Sequence, residues 1–118
     1  MVVLNAENIS LPSVNKKYNY NPKVGKLFLA KEYREACKIL KILMRKNCGM
    51  LQAPYEVIIN VETYLDIDNF LKPLFDVMQE LEIIGNDRDI IRLEVNKKPL
   101  KKGKLNKLYV EVNSYGKR

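Results

Sequence analysis

All five aspartates of this 118-residue chain fall between Asp66 and Asp89, although the formal net charge is +7. In "DIDNFLKPLFD" (66–76), Asp66 and Asp68 stand two apart at what reads as the end of a strand, so their side chains emerge on the same side. Asp68, Lys72 and Asp76 follow at i, i+4 and i+8, the spacing of one helix face. Asp87 and Asp89, again two apart, belong to the turn after that helix. The chain has no histidine, so the usual general base and the commonest transition-metal ligand are both missing. Chemistry then falls to carboxylates, lysine, tyrosine, the two thiols or a bound hard metal. Carboxylates brought together repel and raise one another's pKa unless a cation lies between them. Oxygen-only ligands suit Mg²⁺ or Mn²⁺. The rival account is structural. Asp68 or Asn69 makes a good N-cap, and an acid in the first turn gains about 0.3–1 kcal/mol from the helix dipole, while "GNDR" is good turn chemistry. Capping explains one of Asp66 and Asp68 but not both, and not the second pair. Spacing alone leaves the metal site and the caps both open.

The elements that must hold these residues are legible from hydrophobic period. A chain this short forms one domain, residues 1–118, with a single core. With 47% hydrophobic and 30% charged residues it is an ordinary globular composition. No stretch approaches the ~18 consecutive apolar residues of a membrane span, and the start lacks the basic and apolar regions of a signal peptide. Cys37 and Cys48 have neither CxxC nor metal-ligand spacing and read as inert thiols of a reducing, cytoplasmic setting. "VVLNAENI" reads as a short strand, residues 10–25 as a turn-rich loop, and "KLFL" as a second short strand. Over Ala30–Lys46 the 3.6-residue period puts Tyr33, Ala36, Cys37, Leu40, Leu43 and Met44 on one face and Lys31, Arg34, Lys38, Lys41 and Arg45 on the other. Gly49 is a plausible C-cap. "YEVIINVETYL" alternates as a strand with Val57, Ile59 and Val61 inward. Helical spacing returns in "DNFLKPLFDVMQEL", and Pro73, tolerated without damage only in a first turn, puts the helix start around Asp68 to Phe70. "IIRLEVN" alternates with Ile91, Leu93 and Val95 inward, and "LYVEV" with Leu108, Val110 and Val112 inward. These last strands flank a loop with six lysines in eleven residues (97–107) and read as an antiparallel hairpin with a basic tip. The order implies an α+β domain, a mixed sheet with two helices packed against it. A basic balance of this kind points to a polyanionic partner, with nucleic acid ahead of membrane.

The blocks "DIDNFLKPLFDVM" (66–78), "GNDRDI" (85–90) and "RLEVNKKPLKKGKL" together resemble the RusA family of Holliday-junction resolvases, small homodimeric endonucleases of bacteria and their phages. "PSVNKKY" near the start is a weaker match, and the resemblance spans roughly the whole chain. It implies a RusA-like fold forming a symmetric dimer, and metal-dependent cleavage of four-way DNA junctions by phosphodiester hydrolysis. The family's metal-binding aspartates fall on Asp66, Asp68 and Asp87, and its catalytic lysine on Lys72. Members often carry two adjacent acids in the turn. Asn86 stands at one of those positions, so the ligand is placed at Asp87 and Asp89 is left as a supporting or structural group. Mg²⁺ is the implied ion, with Mn²⁺ possible, and no small-molecule cofactor or membrane is implied. DNA contacts are expected from Asn15, Lys16 and Lys17, from Lys31, Arg34 and Lys38 on the first helix, and from Lys97, Lys98, Lys101, Lys102 and Lys104. The chain lacks the tryptophan that some relatives carry near the asparagine matched by Asn15. Lys72 also has a structural reading, as an i, i+4 pair with Asp68 or Asp76. A helix from Asn69 to Leu81 carries the chain ~18–20 Å from Asp68. Either residues 82–86 bring Asp87 back, or Asp87 meets the other acids across a subunit interface. The rival functions are a non-catalytic basic nucleic-acid-binding module of the same fold, an RNA-binding protein, and a metal nuclease acting on linear or single-stranded DNA.

Overall fold

The computed structural model describes residues 1–14, 18–21, 26–29, 31–45 and 51–115. Among the described residues, six strands and two helices follow in the order β1 (Val2–Ile9), β2 (Tyr18–Asn21), β3 (Lys26–Leu29), α1 (Lys31–Arg45), β4 (Tyr55–Thr63), α2 (Ile67–Glu80), β5 (Ile90–Pro99) and β6 (Asn106–Ser114), with a 3₁₀ turn at Asp87–Asp89 before β5. The α+β class expected from the pattern holds, with a four-stranded mixed sheet in the order β1-β6-β4-β5. β2 and β3 form a separate antiparallel pair; β2 lies where the sequence reads as loop.

β4 is the organising strand. Its odd residues Tyr55, Val57, Ile59 and Val61 are buried, as the two-residue alternation requires. Val57, Ile59 and Val61 sit level with Val112, Val110 and Leu108 of β6, all fully buried. Against this sheet face pack Leu40 and Met44 of α1 and Phe70, Leu74, Val77 and Met78 of α2. The first helix matches its expected inward face, with Tyr33, Ala36, Leu40 and Met44 buried and Cys37 and Leu43 half-buried. Gly49 and the ends at Ala30 and Lys46 lie outside the described residues.

Two expectations about the last strands are corrected. β5 and β6 are not a hairpin: β5 runs parallel to β4, and β6 runs antiparallel to β4 on its other side. The chain leaves β4, crosses through α2 and returns parallel, which is a βαβ unit. The lysine loop therefore passes over the end of β4 instead of making a tight turn. That end is fastened by Leu100 N–H donating to Thr63 O (3.0 Å) and Thr63 Oγ1 donating to Asn106 Oδ1 (2.6 Å). Gly103, at φ 92°, supplies the left-handed residue in the Lys101–Lys104 turn. The second correction concerns burial on β5. Leu93 and Val95 pair with Val57 and Ile59 and so share the core face, yet Leu93 is 43% and Ile91 58% exposed. As an edge strand, β5 lies where the helix layer no longer covers it.

The start of α2 also differs from expectation. Asp66, not Asp68 or Asn69, is the N-cap, with extended backbone and no side-chain cap bond. Asp68 is in the first turn, and Pro73 lies inside the second. The proline removes one hydrogen bond to the Asn69 carbonyl, and burial of its ring offsets part of that loss.

The C-terminus of α2 explains how the chain reverses. Ile83 N–H donates to Met78 O (2.9 Å) and Glu82 N–H to Gln79 O (3.0 Å), the pair of bonds of a Schellman turn. Ile83 and Met78 are both buried beneath it. The left-handed position is taken by Glu82 at φ 60°, where glycine would be unstrained. Glu82→Gly is expected to stabilise the protein by about 1 kcal/mol, read from the urea unfolding midpoint; an unchanged or lower midpoint would refute the strain.

Candidate active site

Three elements position the acidic and basic groups. The end of β4 delivers Asp66, the first two turns of α2 carry Asp68 and Lys72, and the Schellman turn sends the chain back along α2 to Asp87. On the return, Ile84 is buried, and Gly85 N–H donates to the Tyr55 hydroxyl (3.1 Å). Asn86 then caps the 3₁₀ turn by accepting from Arg88 N–H at 2.9 Å. Asp87 N–H donates to Gln79 Oε1 (2.9 Å), which ties the turn to the last part of the helix.

These constraints leave the Asp87 carboxylate facing α2. Lys72 Nζ lies 3.2 Å from Asp87 Oδ2 and 3.2 Å from Asp76 Oδ1. The two contacts hold the lysine's pKa above its ordinary value, Asp76 contributing most and Asp87 next. Lys72 keeps 62% of its side-chain surface in solvent, and exposed ion pairs of this kind add little stability. The arrangement fixes where the ammonium and the Asp87 carboxylate sit. It also shows that Asp87 reaches α2 within one subunit.

Asp66 and Asp68 are exposed, and neither carboxylate has a partner among the described residues. Asp68 shares the helix face of Lys72 and Asp76. Gln79, where Asp87 is anchored, lies about 16 Å of helical rise beyond Asp68. The structure thus brings together Lys72, Asp76 and Asp87, with Asp68 one turn toward the helix start and Asp66 just before it. Among the described residues no three acidic or thiol side chains are gathered closely enough to share a metal ion. The donor chemistry of Asp66 and Asp68, free carboxylate oxygens with no histidine or thiolate nearby, fits a hard cation. Asp87 offers the same oxygens, at present engaged by Lys72. Asp89 lies half-buried in the 3₁₀ turn. Gln79 was missed as a positioning residue; its place seven residues after Lys72, on the same helix face, was the available signal.

Basic residues flank this region. A groove between α1 and α2 of about 320 Å³ is lined by Arg34, Cys37 and Lys41 on one side and Pro73, Asp76 and Glu80 on the other. Lys31, Arg34 and Lys38 are exposed, whereas Lys41 turns to α2 and pairs with Glu80. Lys98, Lys101, Lys102 and Lys104 are exposed and Lys97 half-buried. β4 and β5 are parallel and β6 opposes them, so the lysine loop and Asp66 lie at the same end of the sheet. Asn15, Lys16 and Lys17 lie outside the described residues. No helix among the described residues is long and apolar enough to cross a membrane.

A family model described as endodeoxyribonuclease RusA matches residues 10–113. No curated protein matches the chain at a significant level.

Proposed function

The chain belongs to the RusA endodeoxyribonuclease family, and from that premise we propose that it is a metal-dependent, structure-selective endonuclease. Its substrate is the four-way DNA junction of recombination and repair, and it cuts two opposed strands by phosphodiester hydrolysis. What supports the site is the 3.2 Å contact of Lys72 with Asp87. It joins the acidic turn to the helix that carries Asp68, within one subunit and without stabilising the fold appreciably.

Asp66, Asp68 and Asp87 would hold the ion, Mg²⁺ or alternatively Mn²⁺. When bound, such an ion lowers the pKa of a coordinated water and offsets charge on the phosphoryl oxygens. The protein's own groups do the remaining work. Lys72 is a compact, fully protonated ammonium aimed at the same space as Asp87, suited to a phosphate oxygen as negative charge builds on it. Asp76 keeps that ammonium in place from one turn along the helix. Gln79 keeps the Asp87 backbone in register.

Paired cuts on opposed strands call for two sites related by a twofold axis, which a symmetric homodimer provides with one interface. Lys31, Arg34 and Lys38 on α1, Lys97 and Lys98 at the end of β5, and Lys101, Lys102 and Lys104 in the loop after it serve the phosphates of the junction arms, together with Asn15, Lys16 and Lys17. Contacts of that kind give affinity and salt dependence with little sequence readout. The setting is the cytoplasm of a bacterium or a phage-infected cell.

The test is cleavage of a synthetic four-way junction beside a linear duplex of the same sequence, each with Mg²⁺ and with EDTA. Paired nicks on the junction alone, present with Mg²⁺ and absent with EDTA, are expected. Tight junction binding without cuts, under any metal and across junctions of varied sequence, would leave a binding module of the same fold. Equal cutting of the linear duplex would make it a general nuclease.

A further inference from the structure

The strand register sets four side chains in one row across the exposed side of the sheet, away from the core. Asn5 of β1 pairs with Tyr109 of β6, Tyr109 with Asn60 of β4, and Asn60 with Asn96 of β5. The next row toward the lysine loop is Glu7, Lys107, Glu62 and Lys98. Asn5, Tyr109, Asn60, Asn96, Lys98 and Lys107 line a shallow groove of about 400 Å³. Neither α2 nor the carboxylates around Lys72 contribute to it.

Tyr109, Asn60 and Asn96 of the first row are held in definite poses. The Tyr109 hydroxyl donates to Glu111 Oε1 (2.7 Å), and Asn113 Nδ2 donates to Glu111 Oε2 (2.9 Å), so the ring is fixed at its tip. Asn96 Nδ2 donates to both Asn60 Oδ1 (2.8 Å) and Glu94 Oε2 (2.9 Å). Both Asn96 donors are thereby used. Asn96 Oδ1 remains an acceptor and Asn60 Nδ2 a donor, on neighbouring strands and without partners among the described residues. The edge of a nucleobase carries both donors and acceptors, and side-chain amides are common readers of such edges.

The charges on this face favour a nucleic acid at one end. Glu111 and Glu94 accept the hydrogen bonds just given, Glu56 is paired with Arg92 at 3.0 Å, and Glu7 and Glu62 alternate with Lys107 and Lys98 in their row, while Lys101 and Lys104 beyond it add further positive charge. Lys98 and Lys107 make no ion pair among the described residues. Neither do Lys101 and Lys104, which line the adjoining groove of about 480 Å³. The free cations therefore collect on one side of the amide row, where a phosphate backbone entering the groove would pass.

We propose that this sheet face binds a single DNA strand, with an unpaired base stacked on Tyr109, its edge against the Asn60 and Asn96 amides, and its flanking phosphates on Lys98 and Lys107. This deepens the nuclease reading and rests on it. Strands at a branch point offer unstacked bases, which a regular duplex does not. An aromatic ring on an open sheet surface is a general way of capturing such a base.

The test is equilibrium binding of a short fluorescent oligonucleotide to the full chain in EDTA, beside an oligonucleotide of equal length with abasic sites at its centre. Wild-type protein should bind the base-bearing strand about tenfold more tightly. Tyr109→Leu should remove that preference and Tyr109→Phe should keep it, while Lys98→Ala with Lys107→Ala should weaken both strands equally and flatten the salt dependence. Equal binding of the two strands by the wild type overturns the proposal without recourse to any variant. So does a Tyr109→Leu protein with an unchanged melting curve and an unchanged preference. Junction cleavage is measured separately with Mg²⁺. A protein that cuts junctions but ignores the central bases overturns this inference alone, and one that prefers the base-bearing strand but cuts nothing overturns the nuclease reading alone.

Discussion

Asp68→Asn lowers junction cleavage in Mg²⁺ by at least ~100-fold while junction binding in EDTA stays roughly unchanged. The substitution keeps the side chain's size and removes its charge. Asp68 is exposed, in the first turn of α2, and is not the N-cap. The folding cost is therefore limited to the helix-dipole term, about 0.3–1 kcal/mol. Asp66→Asn should behave alike, since its side chain makes no cap bond to lose. Asp76→Asn is the informative contrast: Lys72 keeps Asp87 at 3.2 Å, so the loss should be smaller. Single-turnover cleavage and anisotropy on the same preparations separate chemistry from binding. An Asp68→Asn protein that cuts at the wild-type rate would make the aspartates of this helix start structural.

The largest effect on stability is expected at Phe70. Its side chain is 1% exposed and lies in the core between the positions of Asp68 and Lys72. Phe70→Ala removes most of a ring from a packed interior and should cost about 3–5 kcal/mol. Domains of this kind are stable by about 5–15 kcal/mol in all, so the variant would stand near its unfolding threshold. The fall in urea midpoint measures the loss. At neighbouring Leu71, half-buried on the same helix, truncation should cost clearly less. A loss below about 1 kcal/mol at Phe70 would show that α2 does not seat on the sheet as described.

Period and turn chemistry carried the elements further than the pairing. β4, β6 and both helices are strongly periodic because each has one buried face, and that pattern is written locally. Which strand lies beside which is not. The segments that became β5 and β6 are close in the chain, and nothing in "KKPLKKGKL" tells that β4 will sit between them. Ile91 and Leu93 carry an inward pattern, but whether a helix reaches over them depends on the sheet order. The acidic blocks were legible by spacing, whereas the route of Asp87 back to Lys72 was not. Its left-handed residue is Glu82, a type that gives no turn signal, and the glycine at position 85 comes three residues later. Pro73 misled for a related reason: the cost of a proline inside a helix is local, while the burial that offsets it belongs to the whole fold.

The pairing of β1 with β6 has a consequence for how the protein is made. Ile9 and Asn106, joined by a hydrogen bond at the edge of that pair, are 97 residues apart. At ribosomal speeds of about 5–20 residues per second, the first strand waits roughly 5–20 s for its neighbour to emerge. β4 waits too, because β6 covers its second edge. Until then the nascent chain holds a β4–α2–β5 unit with both sheet edges open and a loose apolar strand ahead of it, the kind of surface that chaperones bind and that pairs wrongly in crowded conditions.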